Sequence, residues 1–179
     1  MAPPKGQFWN TPSIEPKRQH RWALHVGSLH IYLQKTDKPS LEIGETEHKY
    51  FGHSFFFPGH LTWQPLSVTF VDPFGDAGTT GKLTQWLSHA GYTEPGAVGG
   101  EGLPQTISKS NAMKTNMGGL MKLRQYKAGN TGTAEVGEIW TLHNAWFQKI
   151  NYGSLDYTSD AMVTVDATIR YDYAVNTQN

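Results

Sequence analysis

The segment that comes nearest to known chemistry is Asp76-Ala77-Gly78-Thr79-Thr80-Gly81-Lys82-Leu83, between a predicted strand and a predicted helix. It approaches a phosphate-binding loop, in which glycines expose backbone N–H groups to phosphates and a lysine reaches the terminal phosphate. Two positions depart from that pattern. Asp76 stands where the first glycine belongs and would place a negative charge beside the phosphates, and Leu83 replaces the hydroxyl residue that would bind Mg²⁺. We therefore interpret the segment as a capped turn that opens a helix.

The eight histidines do not have the spacing of a metal site. His25 and His30 are five residues apart, which places them on opposite faces of a strand, and the same holds for His48 and His53. No acidic cluster accompanies them in the sequence. We predict that they are ordinary surface or interface histidines, and that the protein binds neither a metal nor a cofactor.

Nucleophilic catalysis has little support in the sequence. A Ser/His/Asp triad stays open, because its members need not be neighbours along the chain. No Gly-x-Ser-x-Gly pattern, which would place a serine on a sharp turn between strand and helix, supports one. We expect the protein not to be an enzyme.

Basic residues interleaved with an aromatic side chain lie near the N-terminus, at Lys17, Arg18, His20, Arg21 and Trp22. Such a cluster can bind single-stranded nucleic acid through phosphate contacts and base stacking. It can equally belong to an arm that docks on a neighbouring subunit. The chain carries 15 basic and 15 acidic residues, and this neutral balance favours the docking interpretation.

The composition of the 179 residues favours one domain of short strands joined by turns, since 19 are glycine, 10 are proline and only 17% are charged. The absence of cysteine excludes disulfides and thiolate metal sites, and it fits assembly in a cytoplasm. Neither a signal peptide nor an apolar run of about 20 residues is present. We expect a soluble, unexported chain with no membrane partner.

The N-terminal half is predicted to contain an arm followed by strands. Four prolines in residues 1–19 fix φ and remove donors, which predicts an extended arm. Alternating or apolar runs predict strands at Ser28–Lys35, Tyr50–Phe57 and Leu61–Val71. Pro58-Gly59 is interpreted as the turn between the last two strands.

One segment changes from the period of a strand to that of a helix. Its apolar residues fall at i, i+3, i+4 and i+7: Leu83, Trp86, Leu87 and Ala90. This predicts one packed helix over about residues 81–90, with Thr79 or Thr80 capping its start. Residues 92–118 are rich in Gly, Ser and Asn and are predicted to form a long loop.

Strands are predicted again at Leu120–Lys127, Ala134–His143 and Val163–Tyr173, the last with the strongest alternation in the chain. Its polar positions are Thr164, Asp166, Thr168, Arg170 and Asp172. Strands, one helix and strands again exclude a doubly wound α/β fold, which needs several helices between strands. The sequence therefore predicts a mainly β protein, an antiparallel β-sandwich or barrel with one packed α-helix.

The order of these features resembles the tail tube proteins of contractile-tailed bacteriophages. The C-terminal third carries the strongest part of the resemblance, in Trp140-Thr141-Leu142-His143-Asn144-Ala145-Trp146, Ile150-Asn151-Tyr152-Gly153-Ser154-Leu155-Asp156-Tyr157, Ser159-Asp160 and Arg170-Tyr171-Asp172-Tyr173. The N-terminal part contributes Ser13-Ile14-Glu15-Pro16-Lys17-Arg18, Glu45-Thr46-Glu47-His48 and Pro58-Gly59-His60-Leu61-Thr62-Trp63. The resemblance covers nearly the whole chain, residues 1–179, as a single tail-tube domain.

This resemblance implies a β-sandwich that closes into hexameric rings, whose inner sheets join into one continuous barrel around a channel. Stacked rings would form the inner tube of a contractile tail, through which DNA is ejected; the type VI secretion tube protein shares that fold. The implied partners are further copies of the chain and the sheath, tape measure, baseplate and tail terminator proteins, with DNA only in transit. The implied location is the virion, after assembly in the host cytoplasm.

The resemblance also implies two candidate assembly sites. The polar face of the last strand would line the channel as a weakly acidic wall or be solvated on the exterior, through Thr164, Asp166, Thr168, Arg170 and Asp172. The arm would contact a neighbouring subunit or ring through Trp9, Lys17, Arg18 and Arg21. The alternatives are a baseplate paralogue that starts the tube, a β-sandwich enzyme and a nucleic-acid-binding module.

We expect assembly to need no nucleotide, because the phosphate-loop pattern fails at two positions. Purified protein should assemble without ATP, and Lys82→Ala should leave assembly unchanged. Phosphate release with and without the substitution provides the measurement. Specific ATP hydrolysis that disappears in Lys82→Ala would contradict this expectation.

Overall fold

The computed structural model describes residues 17–26, 33–75, 78–93, 106–114, 119–127 and 135–178. Within these ranges the chain is mainly antiparallel β, as the alternation predicts. The elements in chain order are β1 (Trp22–Val26), β2 (Leu33–Thr36), β3 (Leu41–Tyr50), β4 (His53–Trp63), β5 (Leu66–Val71), α1 (Thr79–His89), α2 (Lys109–Lys114), β6 (Gly119–Tyr126), β7 (Val136–Asn151), β8 (Thr164–Arg170) and β9 (Tyr173–Gln178).

Strand β7 connects the two layers of the molecule. The strands follow the order β1-β6-β7-β8-β5-β2, and β9 also pairs with β7. The first half of β7 pairs with β6 and β9, and its second half, from Trp146 to Asn151, pairs with β8. Between the halves, Asn144 adopts a φ of 56°, which bends the strand out of the first layer. A strand that changes sheet at a bend makes the corner of a β-sandwich.

The core lies between the layers and is filled by alternate residues of facing strands. Val165, Ala167 and Ile169 of β8 are buried, and they pair with buried residues of β5 and β7. The matching positions of the other layer include Met121 and Leu123 of β6. The alternation predicted for the last strand is thus confirmed over β8.

The predicted strand Val163–Tyr173 is wrong in its length, because the chain turns the same corner as β7. It breaks at Tyr171-Asp172, and β9 then follows the first half of β7 as a separate strand. The backbone N–H of Asp172 donates to the carbonyl of His143 at 3.0 Å, which fixes the corner. The alternation of apolar and polar residues continues through Tyr171-Asp172, so the sequence pattern does not indicate the break.

Helix α1 confirms the predicted packed helix. Leu83, Trp86 and Ala90 are buried in the core cluster. The Trp86 ring meets Phe147 edge to face at 5.1 Å between centroids, and its Nε1–H donates to the carbonyl of Ala112 at 3.2 Å. The helix therefore closes the core beside the second half of β7.

The cap of α1 differs from the one predicted. Neither threonine side chain caps the helix; instead the Asp72 carboxylate accepts the backbone N–H of Thr80 at 3.0 Å and its hydroxyl hydrogen bond. Thr79 donates its hydroxyl to the carbonyl of Val71 at 2.8 Å. Burial raises the pKa of Asp72, but the hydrogen bonds from Thr80 and Thr79 outweigh it and lower the pKa. A carboxylate thus already occupies the helix N-terminus where a phosphate would bind.

The turn predicted at Pro58-Gly59 is wrong, because β4 runs straight through it. The hairpin turns instead at Phe51 and Gly52, whose φ values are 46° and 76°. Pro58 faces Glu45 beside a register shift, a bulge position where the missing N–H of proline is tolerated. At Gly59 an added Cβ would lie 3.1 Å from the Gly44 carbonyl oxygen, so a side chain there would require the facing strand to shift slightly.

Parts of the predicted arm, first strand and loop lie outside the described residues. Residues 1–16, 27–32, 94–105 and 115–118 belong to this set. Within the segment predicted as a loop, the short helix α2 was missed, since six residues give too few turns for a periodic pattern.

Trp86→Ala should lower the free energy of unfolding by about 3–5 kcal/mol, because it leaves a cavity beside Phe147 and removes the hydrogen bond from the Trp86 indole to the Ala112 carbonyl. The urea midpoint of the unassembled subunit measures the loss. Gln85→Ala, at an exposed position of the same helix, is the matched control and should change stability by less than about 0.5 kcal/mol. An equal, small effect of both substitutions would show that the Trp86 side chain does not belong to the core.

Candidate assembly surface

The hairpin formed by β3 and β4 stands away from the sandwich. Every residue of both strands is exposed except Trp63 at its base. The two strands contact each other and, apart from isolated contacts, no other element. At about 3.4 Å per residue the hairpin is roughly 30 Å long. An isolated two-stranded hairpin is at best marginally stable in water, so this one needs a partner surface.

One face of the hairpin is aromatic. Residues that pair across the strands point to the same side, so the face can be read from the register: Tyr50 with His53, His48 with Phe55, and Thr46 with Phe57. Phe55 and Phe57 are 49% and 57% exposed. His48 and His53 share this face, contrary to the expectation of opposite faces, because the turn places them on neighbouring strands.

The opposite face of the hairpin is charged. It carries the pairs Glu45 with Pro58, Glu47 with Phe56, and Lys49 with Ser54. The Ser54 hydroxyl donates to Glu47 Oε1 at 2.5 Å, and Lys49 Nζ lies 3.7 Å from Glu47 Oε2. The hairpin tip, defined by Lys49, Tyr50, Phe51 and His53, ends in Phe51, which is 84% exposed.

The base of the hairpin is firmly joined to the sandwich. The Gln64 backbone N–H donates to the Ser40 carbonyl at 2.9 Å, and its side-chain amide donates to Glu42 at 2.8 Å. The Trp63 ring lies 6.0 Å from the ring of Tyr171, a buried residue at the corner. The hairpin therefore projects from an anchored base rather than as a loose loop.

A second exposed surface is the loop between β7 and β8, all of whose residues 152–163 are exposed. With the strand ends it encloses an open basin of about 990 Å³. Leu155 is 87% exposed, Tyr157 is fully exposed and Met162 is 75% exposed. Asp156 accepts the backbone N–H of Thr158 at 2.9 Å and its hydroxyl at 2.8 Å, and these hydrogen bonds lower the pKa of the carboxyl group. These hydrogen bonds fix the turn at Asp156 and Thr158, and the loop around it exposes apolar side chains to water.

The structure places four of the five predicted polar residues of the last strand on one face. The second layer consists of β2, β5, β8 and the second half of β7. Part of its outer face is formed by the residues of β8 that alternate with the buried ones: Thr164, Asp166, Thr168 and Arg170. Asp172 does not belong to it. It lies at the corner, where Lys109 Nζ donates to its two oxygens at 2.8 and 2.7 Å and Asn144 Nδ2 donates at 2.8 Å. The Lys109 hydrogen bond, with that of Asn144, lowers the pKa of Asp172.

In its described part this outer face carries more basic than acidic side chains, whereas the polar positions of the strand alone suggest a weakly acidic surface. Thr168 pairs with Lys149, and Asp166 pairs with Thr69, whose partner on β2 is Lys35. Together with Arg170, the described part of the face carries three basic side chains against Asp166. The alternation of the last strand shows only its own side chains, whereas Lys35 and Lys149 come from β2 and β7. The position of this face in a channel stays a prediction.

The described part of the predicted arm packs on its own subunit. The Arg18 carbonyl accepts Gln125 Nε2 at 3.3 Å, and the Arg21 carbonyl accepts the Tyr126 N–H at 3.0 Å. Lys17 forms an ion pair with Glu138 at the start of β7. Trp9 lies outside the described residues. The inter-subunit role of these residues stays a prediction, and Lys17 already has a partner within its own chain.

Glu138 is a buried carboxylate that four donors satisfy. Its side chain is 5% exposed, and it accepts from Lys17, from Lys38 at 3.2 Å, from the Trp140 indole and from Asn176 at 2.9 Å. Burial raises the pKa of Glu138, but the hydrogen bonds from Lys17, Trp140 and Lys38 outweigh it and lower the pKa from 4.5 to about 2. The sequence pattern does not indicate this cluster, because three of its four donors, Lys17, Lys38 and Asn176, are distant from Glu138 along the chain.

Two other kinds of site are missing from the described ranges. No group of three His, Asp or Glu side chains there is placed to hold a metal ion. In the same ranges no helix is long and apolar enough to cross a membrane.

The comparisons with solved structures decide the fold family. A chain in the structure of a PVC sheath/tube terminator, from an extracellular contractile injection system in its extended state, is similar at a TM-score of 0.65 and 15% identity, covering 91% of this chain and 97% of that one. The chain has the tail-tube fold. No family model and no curated protein sequence matches it.

Two further structures contain the tail-tube fold at similar distance. A chain in the sixfold-symmetrised baseplate of the anti-feeding prophage has a TM-score of 0.64 and 13% identity, over 92% of this chain and 97% of that one. A chain in the PVC sheath–tube complex has a TM-score of 0.62 and 16% identity, over 92% and 93% of the two chains. The resemblance stated from the sequence is confirmed at the level of the fold.

Glu138→Gln should lower the free energy of unfolding by about 2–3 kcal/mol at neutral pH, because it removes the charge that Lys17 and Lys38 neutralise. A carboxyl group whose pKa is depressed on folding stabilises the fold above its unfolded pKa, and this contribution is lost as the pH falls through the folded pKa. The difference between variant and wild type should therefore shrink as the pH is lowered from 4.5 toward 2.

Urea midpoints of both proteins across this pH range provide the measurement. Glu135→Gln is the control, since Glu135 is an exposed residue paired with Lys127 at 3.0 Å, and its loss should cost under about 1 kcal/mol. A Glu138→Gln effect that does not depend on pH would contradict the ionised state of Glu138.

Proposed function

We propose that the protein is a structural subunit that assembles with copies of itself into hexameric rings, which stack into the inner tube of a contractile tail. The observation that carries this proposal is the exposed β3–β4 hairpin. Its eight large apolar side chains are each at least 46% exposed: Leu41, Ile43, Tyr50, Phe51, Phe55, Phe56, Phe57 and Leu61. Apolar surface of this extent marks an interaction site.

The energy of covering the hairpin favours repeated contacts over a single one. Each aromatic side chain offers 150–250 Å², so covering the exposed halves of five aromatic rings removes roughly 500 Å² from water. At about 25 cal/mol per Å² this is worth roughly 12 kcal/mol. Association alone costs about 4–15 kcal/mol. One hairpin contact is thus marginal, whereas six contacts between two rings, made together, give a stable joint.

The edges of the sheets also support a ring. Among the described strands, β1, β2 and β9 each pair on one side only. An unpaired edge exposes a row of N–H and C=O groups that can pair with another chain. Closure into a ring satisfies such edges without leaving a free end.

The partners in this proposal are the sheath, tape measure, baseplate and tail terminator proteins, with DNA crossing the channel in transit. The chains similar to this one come from a sheath–tube complex, a sheath/tube terminator and a sixfold-symmetrised baseplate, and these settings support the sheath, terminator and baseplate partners and a six-membered ring in this proposal. The location is the virion, after assembly in the host cytoplasm. The role is assembly rather than catalysis.

A tube-initiating baseplate subunit is the second candidate, and the likeness to the baseplate chain favours it. The two candidates differ in what they do when purified. A tube subunit elongates without limit, whereas an initiating subunit stops after one ring or a few rings. Lengths of assemblies in negative-stain images distinguish them.

Shortening the hairpin should abolish assembly and leave the subunit folded. Ile43 and Leu61 are directly paired across the strands, so an Asn-Gly turn can replace residues 44–60 and keep the base. The removed residues are all exposed, and the stability of the sandwich should change by less than about 0.5 kcal/mol. Light scattering and negative-stain images report assembly, and a urea titration reports stability.

The matched control is Leu120→Ser, which removes an exposed apolar side chain (54% exposed) from β6 and leaves the hairpin intact. We expect it to assemble. Normal tubes from the shortened protein would show that the hairpin is not the assembly surface.

A further inference from the structure

We infer that the hairpin tip of one copy inserts into the β7–β8 basin of the next copy, so that subunits join head to tail. This inference rests on the proposed function and names the two surfaces that meet. The occupant of the basin is thus a second copy of this chain.

The register of the strands places the two surfaces at opposite ends of the second layer. The hairpin leads into the start of β5 at Leu66, which pairs with Ile169 at the end of β8. The basin leads into the start of β8 at Thr164, which pairs with Val71 at the end of β5. Because β5 and β8 are antiparallel neighbours, the hairpin leaves one end of the sheet and the basin opens at the other.

Surfaces at opposite ends of one subunit give a heterologous contact. Such a contact leaves one hairpin and one basin free after each addition, so it can propagate without limit. Two hairpins packed on each other would instead use up both surfaces and stop at a pair. The placement therefore suits a stack of rings, with six hairpins of one ring entering six basins of the next.

The chemistry of the two surfaces is complementary. The hairpin tip presents two aromatic rings, Tyr50 and Phe51, with their centroids 4.5 Å apart. The basin offers apolar partners in Leu155, Tyr157 and Met162, and its volume of about 990 Å³ is that of a pocket for several rings.

The charges also match. The hairpin tip carries the positive charge of Lys49 on its charged face, 3.7 Å from Glu47 Oε2, and the imidazoles of His53 and His48 lie on its aromatic face. The basin is lined by the carboxylates of Asp156 and Asp166, and by no basic side chain among the described residues. Hydrogen bonds from Thr158 keep Asp156 oriented, and Thr69 does the same for Asp166 at 2.7 Å. Opposite charges around an apolar centre favour docking in one orientation.

Cysteine cross-linking tests the contact directly, because the chain has no cysteine of its own. Phe51→Cys and Tyr157→Cys are combined in one chain, at two of its most exposed positions. Under mild oxidation, or with a short bismaleimide, this double variant should give a ladder of covalent multimers on a denaturing gel. Multimers larger than a dimer should be at least tenfold more abundant than in either single variant, because a single cysteine can join only two chains.

The control pairs Phe51→Cys with Val175→Cys, an exposed position on β9 that does not line the basin, and it should stop at low multimers. Tubes that form normally from the double variant without a ladder would overturn the inference and leave the proposed function standing. Equal ladders from the control would overturn it too. Failure of the unmodified protein to form rings or tubes under any condition would overturn the proposed function and the inference together.

Leu155→Ser supplies an independent test that does not depend on cross-linking geometry. Leu155 is 87% exposed, so the substitution should leave the subunit folded and ring formation intact. Tubes should shorten at least tenfold, since the basin loses an apolar partner in all six contacts of each joint. Tubes of normal length from Leu155→Ser would overturn the inference.

Discussion

The bend of β7 at Asn144 is the constraint on which the two-layer arrangement depends. A strand of 16 residues can serve two sheets only if its backbone leaves the first sheet at a defined point, and the left-handed φ of Asn144 supplies that point. The chain must also break between β8 and β9 beside this bend, and the break places Asp172 next to His143 and Asn144. Asp172 then accepts hydrogen bonds from Asn144 and Lys109, so α2 is tied to the corner as well. Without this corner the two layers would not face each other across the core.

The sequence predicted those elements whose pattern depends on neighbours along the chain. Val165, Ala167 and Ile169 alternate with polar residues because one face of β8 is buried, and the 3.6-residue spacing of Leu83, Trp86 and Ala90 reports the buried side of α1. The position of the hairpin turn is predicted wrongly because of the local composition. Pro58-Gly59 has the composition of a turn but occupies a bulge, whereas the real turn contains Phe51, a residue that rarely adopts a positive φ.

The candidate sites were harder to predict because their members come from distant segments. The four donors to Glu138 lie on the arm, after β2, on β7 and on β9, so the alternation of β7 alone shows only an acid at an inward position. The charge of the outer sheet face likewise depends on Lys35 and Lys149, which reach Asp166 and Thr168 only through strand pairing. Sequence reasoning thus identified the polar positions of one strand and assigned the wrong sign to the surface they help to form.

The charged face of the hairpin has a consequence for the subunit before it meets a partner. Newly made chains carry an extended aromatic ribbon in water, which is the usual starting point for edge-to-edge aggregation. Glu45 and Glu47 lie on the back of that ribbon, and two ribbons stacked back to back would bring these carboxylates together. Repulsion between these carboxylates therefore opposes back-to-back stacking of two hairpins and leaves the aromatic face unchanged.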